Sequence, residues 1–208
     1  MNAPMGSVRR CDWAQTPDVM RVYHDTEWGV PLHDDRKLFE FLILEGMQAG
    51  LSWLTVLKKR EHFRRAFDRF NPQRVARYGK VKIRELLHNE GIIRNRQKIE
   101  AAIANAQAFL RIQEEFGSFH RFMWDLIGGK PIVNALTCMK DVPARTAASD
   151  VMSDALRSRG FRFVGSTICY AHMQATGMVN DHLTSCFRYQ ELVRAAQKGR
   201  SLSALSRT

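Results

Sequence analysis

The stretch Gly91-Ile92-Ile93-Arg94-Asn95-Arg96-Gln97-Lys98 decides the fold. Before it, Val81 to His88 has the spacing of a short helix that ends near Asn89-Glu90-Gly91. After it, about Asn95 to Glu115 is the longest periodic segment, with Ile99, Ile103, Ala106 and Leu110 on one face. A short helix, a Gly-Ile-Ile turn and a long helix thus follow one another. The rest of the chain reads the same way. Asp34 can cap a helix carrying Leu38, Phe41, Leu42 and Leu44. Leu51–Lys59 and Glu61–Phe70 read as two short helices, and Pro72 suits the first turn of the next. Phe119–Ile127 is stopped by Gly128-Gly129 and Pro131. Ser149 caps a helix through Arg159, and Thr167–Thr176 is the last strong one. Residues 130–148 are loop-like, and Phe161–Val164 is extended but too short for a sheet. The expected class is all-α. Residues 1–8 and 198–208 read as disordered tails.

With 208 residues, 45% of them hydrophobic, the chain suits one compact domain or two small lobes sharing a core. No apolar run reaches the ~20 residues of a membrane span, and Met1–Arg10 lacks the apolar stretch of a signal peptide. The expected location is cytoplasmic, where four cysteines are thiols or metal ligands more often than disulfides. The net charge of +11 is concentrated. Residues 55–98 carry 14 Lys/Arg against 4 Asp/Glu, whereas residues 1–54 carry 5 against 8. A polyanion such as nucleic acid is one reading of that excess, and a solvated basic surface is the other.

Cys11 and His24 are separated by twelve residues, His182 and Cys186 by three. Together they make a Cys₂His₂ set, which suits a closed tetrahedral zinc site with no position left for water. Such a clip would tie both ends of the chain together and contribute on the order of 4–5 kcal/mol. A Cys11–Cys186 disulfide, or four unrelated groups, also accounts for the spacing. Cys138 and Cys169 read as core thiols.

Glu45 follows Leu38, Phe41 and Leu42 by seven, four and three residues, so it shares their helix face. A carboxylate there is costly to bury unless it is paired or used. Either an Arg or backbone partner satisfies it, or it faces a ligand. Trp13, Tyr23, Trp28 and Trp53 all fall in the first quarter. Such rings are usually core, yet flat rings beside a carboxylate also suit a flipped nucleobase. In the hairpin, the amides of a helix start beside Arg94, Arg96 and Lys98 can bind phosphate. A zinc-stabilised damage sensor without catalysis shares the charge, the metal ligands and the hairpin.

Several segments taken together settle the choice. They are Arg10-Cys11-Asp12-Trp13, Tyr23-His24-Asp25-Thr26-Glu27-Trp28-Gly29-Val30-Pro31 and Leu44-Glu45-Gly46-Met47-Gln48-Ala49-Gly50-Leu51-Ser52-Trp53, then Gly91–Arg96, Gly160–Gly165 and Met173–His182. From about residue 9 to residue 187 the chain resembles the 3-methyladenine DNA glycosylase I family of the helix-hairpin-helix glycosylase superfamily. The resemblance implies an all-helical glycosylase domain over residues 9–190, with the helix-hairpin-helix near 81–115. It implies excision of 3-methyladenine, and of 3-methylguanine, from alkylated double-stranded DNA by a monofunctional enzyme that leaves an abasic site. It further implies one structural zinc on Cys11, His24, His182 and Cys186, no organic cofactor, and a monomer. Glu45 becomes the acidic base-recognising residue, with Tyr23, Trp53 and Trp13 lining the pocket. Gly50 and Leu51 approach the gap left by the flipped nucleotide, and Gly91, Ile92, Arg94, Arg96 and Lys98 contact DNA. Met20 stands where relatives can carry an aromatic, and Met47 fills the variable position of the Glu-Gly-x-Gln motif, which leaves the pocket shape open.

Overall fold

The computed structural model describes residues 8–197, so most of both expected tails, 1–7 and 198–208, lies outside the described residues. Ten helices carry the fold among the described residues. They are α1 (Asp18–Thr26), α2 (Asp35–Gln48), α3 (Trp53–Ala66), α4 (Pro72–Val75), α5 (Lys80–His88), α6 (Arg96–Phe116), α7 (Phe119–Asp125), α8 (Ala147–Ser158), α9 (Ser166–Ala175) and α10 (Phe187–Gln197). Two two-residue strands, β1 (Ile132–Val133) and β2 (Val179–Asn180), pair in parallel and are the sheet that the all-α reading did not foresee. They are too short to show an alternating pattern, so only tertiary contact reveals them.

The centre is α2. Asp34 caps it, its side chain accepting from Lys37 N at 2.8 Å. Every residue from Leu38 to Met47 is buried, because α3, α6, α7 and α9 pack around it. The expected one-sided apolar face is therefore too narrow a description: this helix is enclosed on all sides. Two glutamates, Glu40 and Glu45, go inside with it. Its N-terminal Asp35 also caps α7, accepting from Phe119 N at 2.9 Å and His120 N at 2.7 Å.

Two expected short helices are one. α3 runs unbroken through its polar middle because Arg60 and Arg64 form ion pairs with Glu40 on α2. The chain then turns through three left-handed residues, Asp68, Arg69 and Phe70. Arg36 holds that turn by donating to the Arg69 carbonyl at 2.7 Å, and Tyr78 by donating to Asp68 at 2.6 Å. The α8 cap is Thr146 rather than Ser149. The Thr146 amide donates to Ser149 Oγ at 2.8 Å, and the Ser149 amide to Thr146 Oγ1 at 3.3 Å, a reciprocal capping box.

The first described residues meet the start of α10 at one side. Phe187 N donates to Arg9 O at 3.0 Å, and the loop after α1 docks on the end of α9 through Gly29 N to Gln174 O (2.9 Å) and Leu32 N to Thr176 O (3.0 Å). Gly177 makes that docking possible. Its φ is +68°, and a Cβ there would lie 2.2 Å from the Val30 carbonyl carbon. Gly177→Ala is expected to lower unfolding free energy by about 2–3 kcal/mol in urea melts.

Candidate active site and metal cluster

Cys11, His24, His182 and Cys186 converge, all buried, with their ligand atoms within 4.8 Å of one another. The Cys186 sulfur lies 3.5 Å from His24 Nε2 and 3.6 Å from His182 Nδ1, and the Cys11 sulfur lies 3.7 Å from His182 Nδ1. Tetrahedral zinc with ordinary Zn–S and Zn–N bonds gives S···N edges of about 3.6 Å. The donor set therefore fits that ion in size and chemistry. The unused ring nitrogens are both held: His24 Nδ1 by Asp25 at 2.7 Å, and His182 Nε2 by the Trp28 carbonyl at 3.0 Å. Arg10 in turn grips Asp25 at 2.7 Å. Such outer partners fix which nitrogen faces a metal. Contact with Cys11, opposed by burial and aided by contact with His182 and His24, pulls the Cys186 thiol down, while the same Cys186 contact and burial push the Cys11 thiol up, so the two sulfurs share one negative charge. All four cysteines are free, so the disulfide alternative falls. Cys138 is half-buried rather than a core thiol, whereas Cys169 is buried and donates to Val164 O at 3.3 Å.

The same element continues into a cavity. Tyr23 is the residue before His24 on α1, and the Trp13 ring lies 5.2 Å from His24 and 5.0 Å from Trp28. Tyr23 and Trp53 stand 5.5 Å apart. These four aromatic residues, with Glu45, line a cavity of about 310 Å³. That is the low end for a small-molecule pocket and ample for a purine.

Two buried polar atoms in this wall lack a partner, Glu45 Oε2 and Trp53 Nε1. Glu40 provides the contrast on the same helix. It is just as buried, yet Arg60 and Arg64 each reach it at 2.7 Å. The satisfied-glutamate reading thus describes Glu40 and fails for Glu45. Burial alone pushes the Glu45 carboxyl up to about 8. Its folded form holds a proton that the unfolded chain releases above about 4.5, so stability falls as pH rises from there towards 8. Glu45→Gln is therefore expected to be the more stable protein, by on the order of 2 kcal/mol at pH 7, with the gap closing near pH 4. Urea melts of both proteins across that range test the sign.

The hairpin agrees only in part with its sequence reading. Arg94 and Arg96 are exposed and hold only long i,i+4 ion pairs, 3.7 Å to Glu90 and 3.5 Å to Glu100. Ile92 is a core residue, and its amide, like that of Gly91, is already bonded to Asn89. A Cβ at Gly91 would lie 2.7 Å from the exposed His62 ring, which would have to move aside. Lys98 also departs from expectation. Its buried ammonium donates to the Met47 and Ala49 carbonyls at 2.9 and 2.5 Å, closing the C-terminus of α2 instead of meeting phosphate. At the turn between α2 and α3, Gly50 is left-handed (φ +77°) and Leu51 is exposed beside the cavity residues Gln48 and Trp53.

The family model described as Methyladenine glycosylase matches residues 13–189. The chain belongs to the methyladenine glycosylase family. It is 47% identical over 182 residues to DNA-3-methyladenine glycosylase 1 of Escherichia coli (strain K12), covering 88% of this chain and 97% of that protein. A crystal structure of 3-methyladenine DNA glycosylase I superposes with a TM-score of 0.84 at 50% identity, covering 86% of this chain and 98% of that one. The Staphylococcus aureus enzyme, solved for the structural basis of 3-methyladenine recognition, gives 0.84 at 35% identity, with 88% and 97% covered.

Within this family member the cavity holds residues that sequence reasoning did not nominate as lining. Trp28, Gln48, Gln174, Met139 and Val142 all face it, as does Met20. Trp28, Gln48 and Gln174 sit inside motifs already singled out. Met139 and Val142 come from the loop-like stretch before α8, where no periodicity marks a facing residue. Met47 is fully buried in the main core and does not line the cavity.

Proposed function

We propose that residues 9–190 act as one glycosylase unit that flips 3-methyladenine, and also 3-methylguanine, out of alkylated double-stranded DNA and hydrolyses its N-glycosidic bond. The observation that carries this reading is Glu45, a buried carboxyl without a partner in an aromatic cavity. A 3-methylated adenine in DNA is cationic, so its glycosidic bond is already weakened. Aromatic faces attract a cation, and a carboxylate attracts it more. A nearby cation also favours the charged form of Glu45, so base and carboxylate bind as an ion pair. Ordinary adenine gains neither effect.

The bond from the base to C1′ breaks with its electron pair leaving on the base, which departs as neutral 3-methyladenine. Water adds to C1′ and gives up a proton, and an abasic site remains. Little acid catalysis is needed with such a leaving group, and Glu45 in its ionised form favours the developing positive charge on the sugar. No lysine stands among the cavity residues, which supports hydrolysis without strand cleavage.

Cys11, His24, His182 and Cys186 would hold one zinc ion. When bound it supplies a closed structural clip and takes no part in bond breaking. The side chains of Tyr23, Trp53, Trp13 and Glu45 receive the base. Gly50 and Leu51 fill the vacated stack, while Arg94 and Arg96, with the first amides of α6, hold the phosphates. The enzyme works as a monomer in the cytoplasm, and none of its described helices is long and apolar enough to cross a membrane. Incubation with methylated duplex DNA tests this: free 3-methyladenine and intact strands bearing abasic sites should appear. Nicked strands would contradict the monofunctional reading, and absence of free base would contradict the activity.

A further inference from the structure

We propose that Gln174 reads the base with its amide oxygen, locked in that orientation by Asp181, and that this ranks 6-amino bases above 6-oxo bases. The inference rests on the reading of the cavity as a base site and deepens it.

Gln174 lies on α9 and lines the cavity together with Glu45. A glutamine amide ordinarily offers a donor and an acceptor, and nothing in its shape decides which faces a ligand. Here Nε2 donates to Asp181 Oδ2 at 2.7 Å. Asp181 is fully buried, and its other partners are also donors: Tyr170 OH on Oδ2 at 2.6 Å and Asn134 Nδ2 on Oδ1 at 2.7 Å. Flipping the Gln174 amide would press its oxygen against Oδ2, setting two acceptors face to face away from water. One N–H of Nε2 is therefore committed to Asp181, which turns the nitrogen end that way and leaves the amide oxygen as the opposite end, free to face the cavity. The backbone is fixed as well, since the Gln174 carbonyl accepts from Gly29 N at 2.9 Å.

The cavity wall then offers two oxygen acceptors, Glu45 and Gln174. Adenine carries an amino group at position 6, with two N–H bonds to give. Guanine carries a carbonyl there, which has none and would lose its water to meet oxygen. A site built to accept hydrogen bonds rejects a ligand that cannot donate them. The expected order is 3-methyladenine ahead of 3-methylguanine. Asp181 is a positioning residue in this scheme, since it acts only through Gln174.

The test is calorimetric binding of free 3-methyladenine and free 3-methylhypoxanthine, its 6-oxo counterpart, to the full-length wild type and to Gln174→Met. The wild type should favour the 6-amino base. Gln174→Met should weaken 3-methyladenine by about tenfold and leave 3-methylhypoxanthine unchanged. An unchanged ratio, or equal loss for both bases, overturns the proposal. A second measurement needs no variant. In the wild type, the Gln174 side-chain N–H bonded to Asp181 should exchange slowly, and rapid exchange of both NH₂ protons overturns the proposal. Release of 3-methyladenine from methylated DNA is assayed in parallel. Failure there, with base preference intact, strikes the glycosylase reading and leaves Gln174 standing.

Discussion

Glu45→Gln is expected to lower 3-methyladenine release by about a hundredfold or more while the protein stays folded. The substitution is nearly isosteric, so the cavity keeps its shape. What it removes is the negative charge opposite a cationic base, in surroundings where burial strengthens electrostatics. The loss should appear in single-turnover rates on methylated duplex DNA. The same variant should be the more stable one at neutral pH, because a buried carboxyl pushed up to about 8 is a liability in the empty protein. A residue whose replacement raises stability and removes activity is doing functional work. A fall in both would mark Glu45 as a structural residue.

Loss of the proposed zinc clip is the other large effect expected. Cys186→Ser should lower unfolding free energy by on the order of 4–5 kcal/mol, and chelation of the wild type should do the same. An ion on Cys11, His24, His182 and Cys186 would close a loop from residue 11 to residue 186, and Asp25, itself held by Arg10, and the Trp28 carbonyl already fix the two imidazoles. Activity should fall less than stability at temperatures where the variant remains folded, since no ligand lines the cavity. Metal content by plasma mass spectrometry, read beside thermal melts with and without chelator, checks both parts. A wild type purified without zinc, yet equally stable and active, would contradict the clip.

Much of this protein can be read from its residues, and the failures have physical causes. The helices were legible where capping and periodicity coincide, as at Asp34 and Asn95, whose side chains accept from Lys37 N and Lys98 N. The split expected between Lys59 and Glu61 falls inside α3. Arg60 and Arg64 lie inside the helix because Glu40, twenty or more residues away in the chain, needs partners. The β1–β2 pair and the Met139–Val142 wall are long-range features that no local pattern carries. Lys98 and Ile92 are placed at the DNA by their motif, and the structure puts both side chains inside. Their motif is basic and hairpin-like, but Ile92, in the turn before α6, packs into the core, and Lys98, in the first turn of α6, reaches the Met47 and Ala49 carbonyls, while Arg94 and Arg96 stay exposed. Glu45 was visible as an anomaly from its spacing alone. What the structure adds is that it lacks a partner in the one place where Glu40 shows a partner can be had.

The most direct test is to follow free 3-methyladenine released from one methylated duplex by the wild type, by Glu45→Gln and by buffer alone, with undamaged duplex as control. Rapid release by the wild type, near-spontaneous release by Glu45→Gln and no adenine from undamaged DNA is the expected result. Wild-type release no faster than spontaneous depurination, or equal rates for the two proteins, would contradict recognition of the cationic base by Glu45.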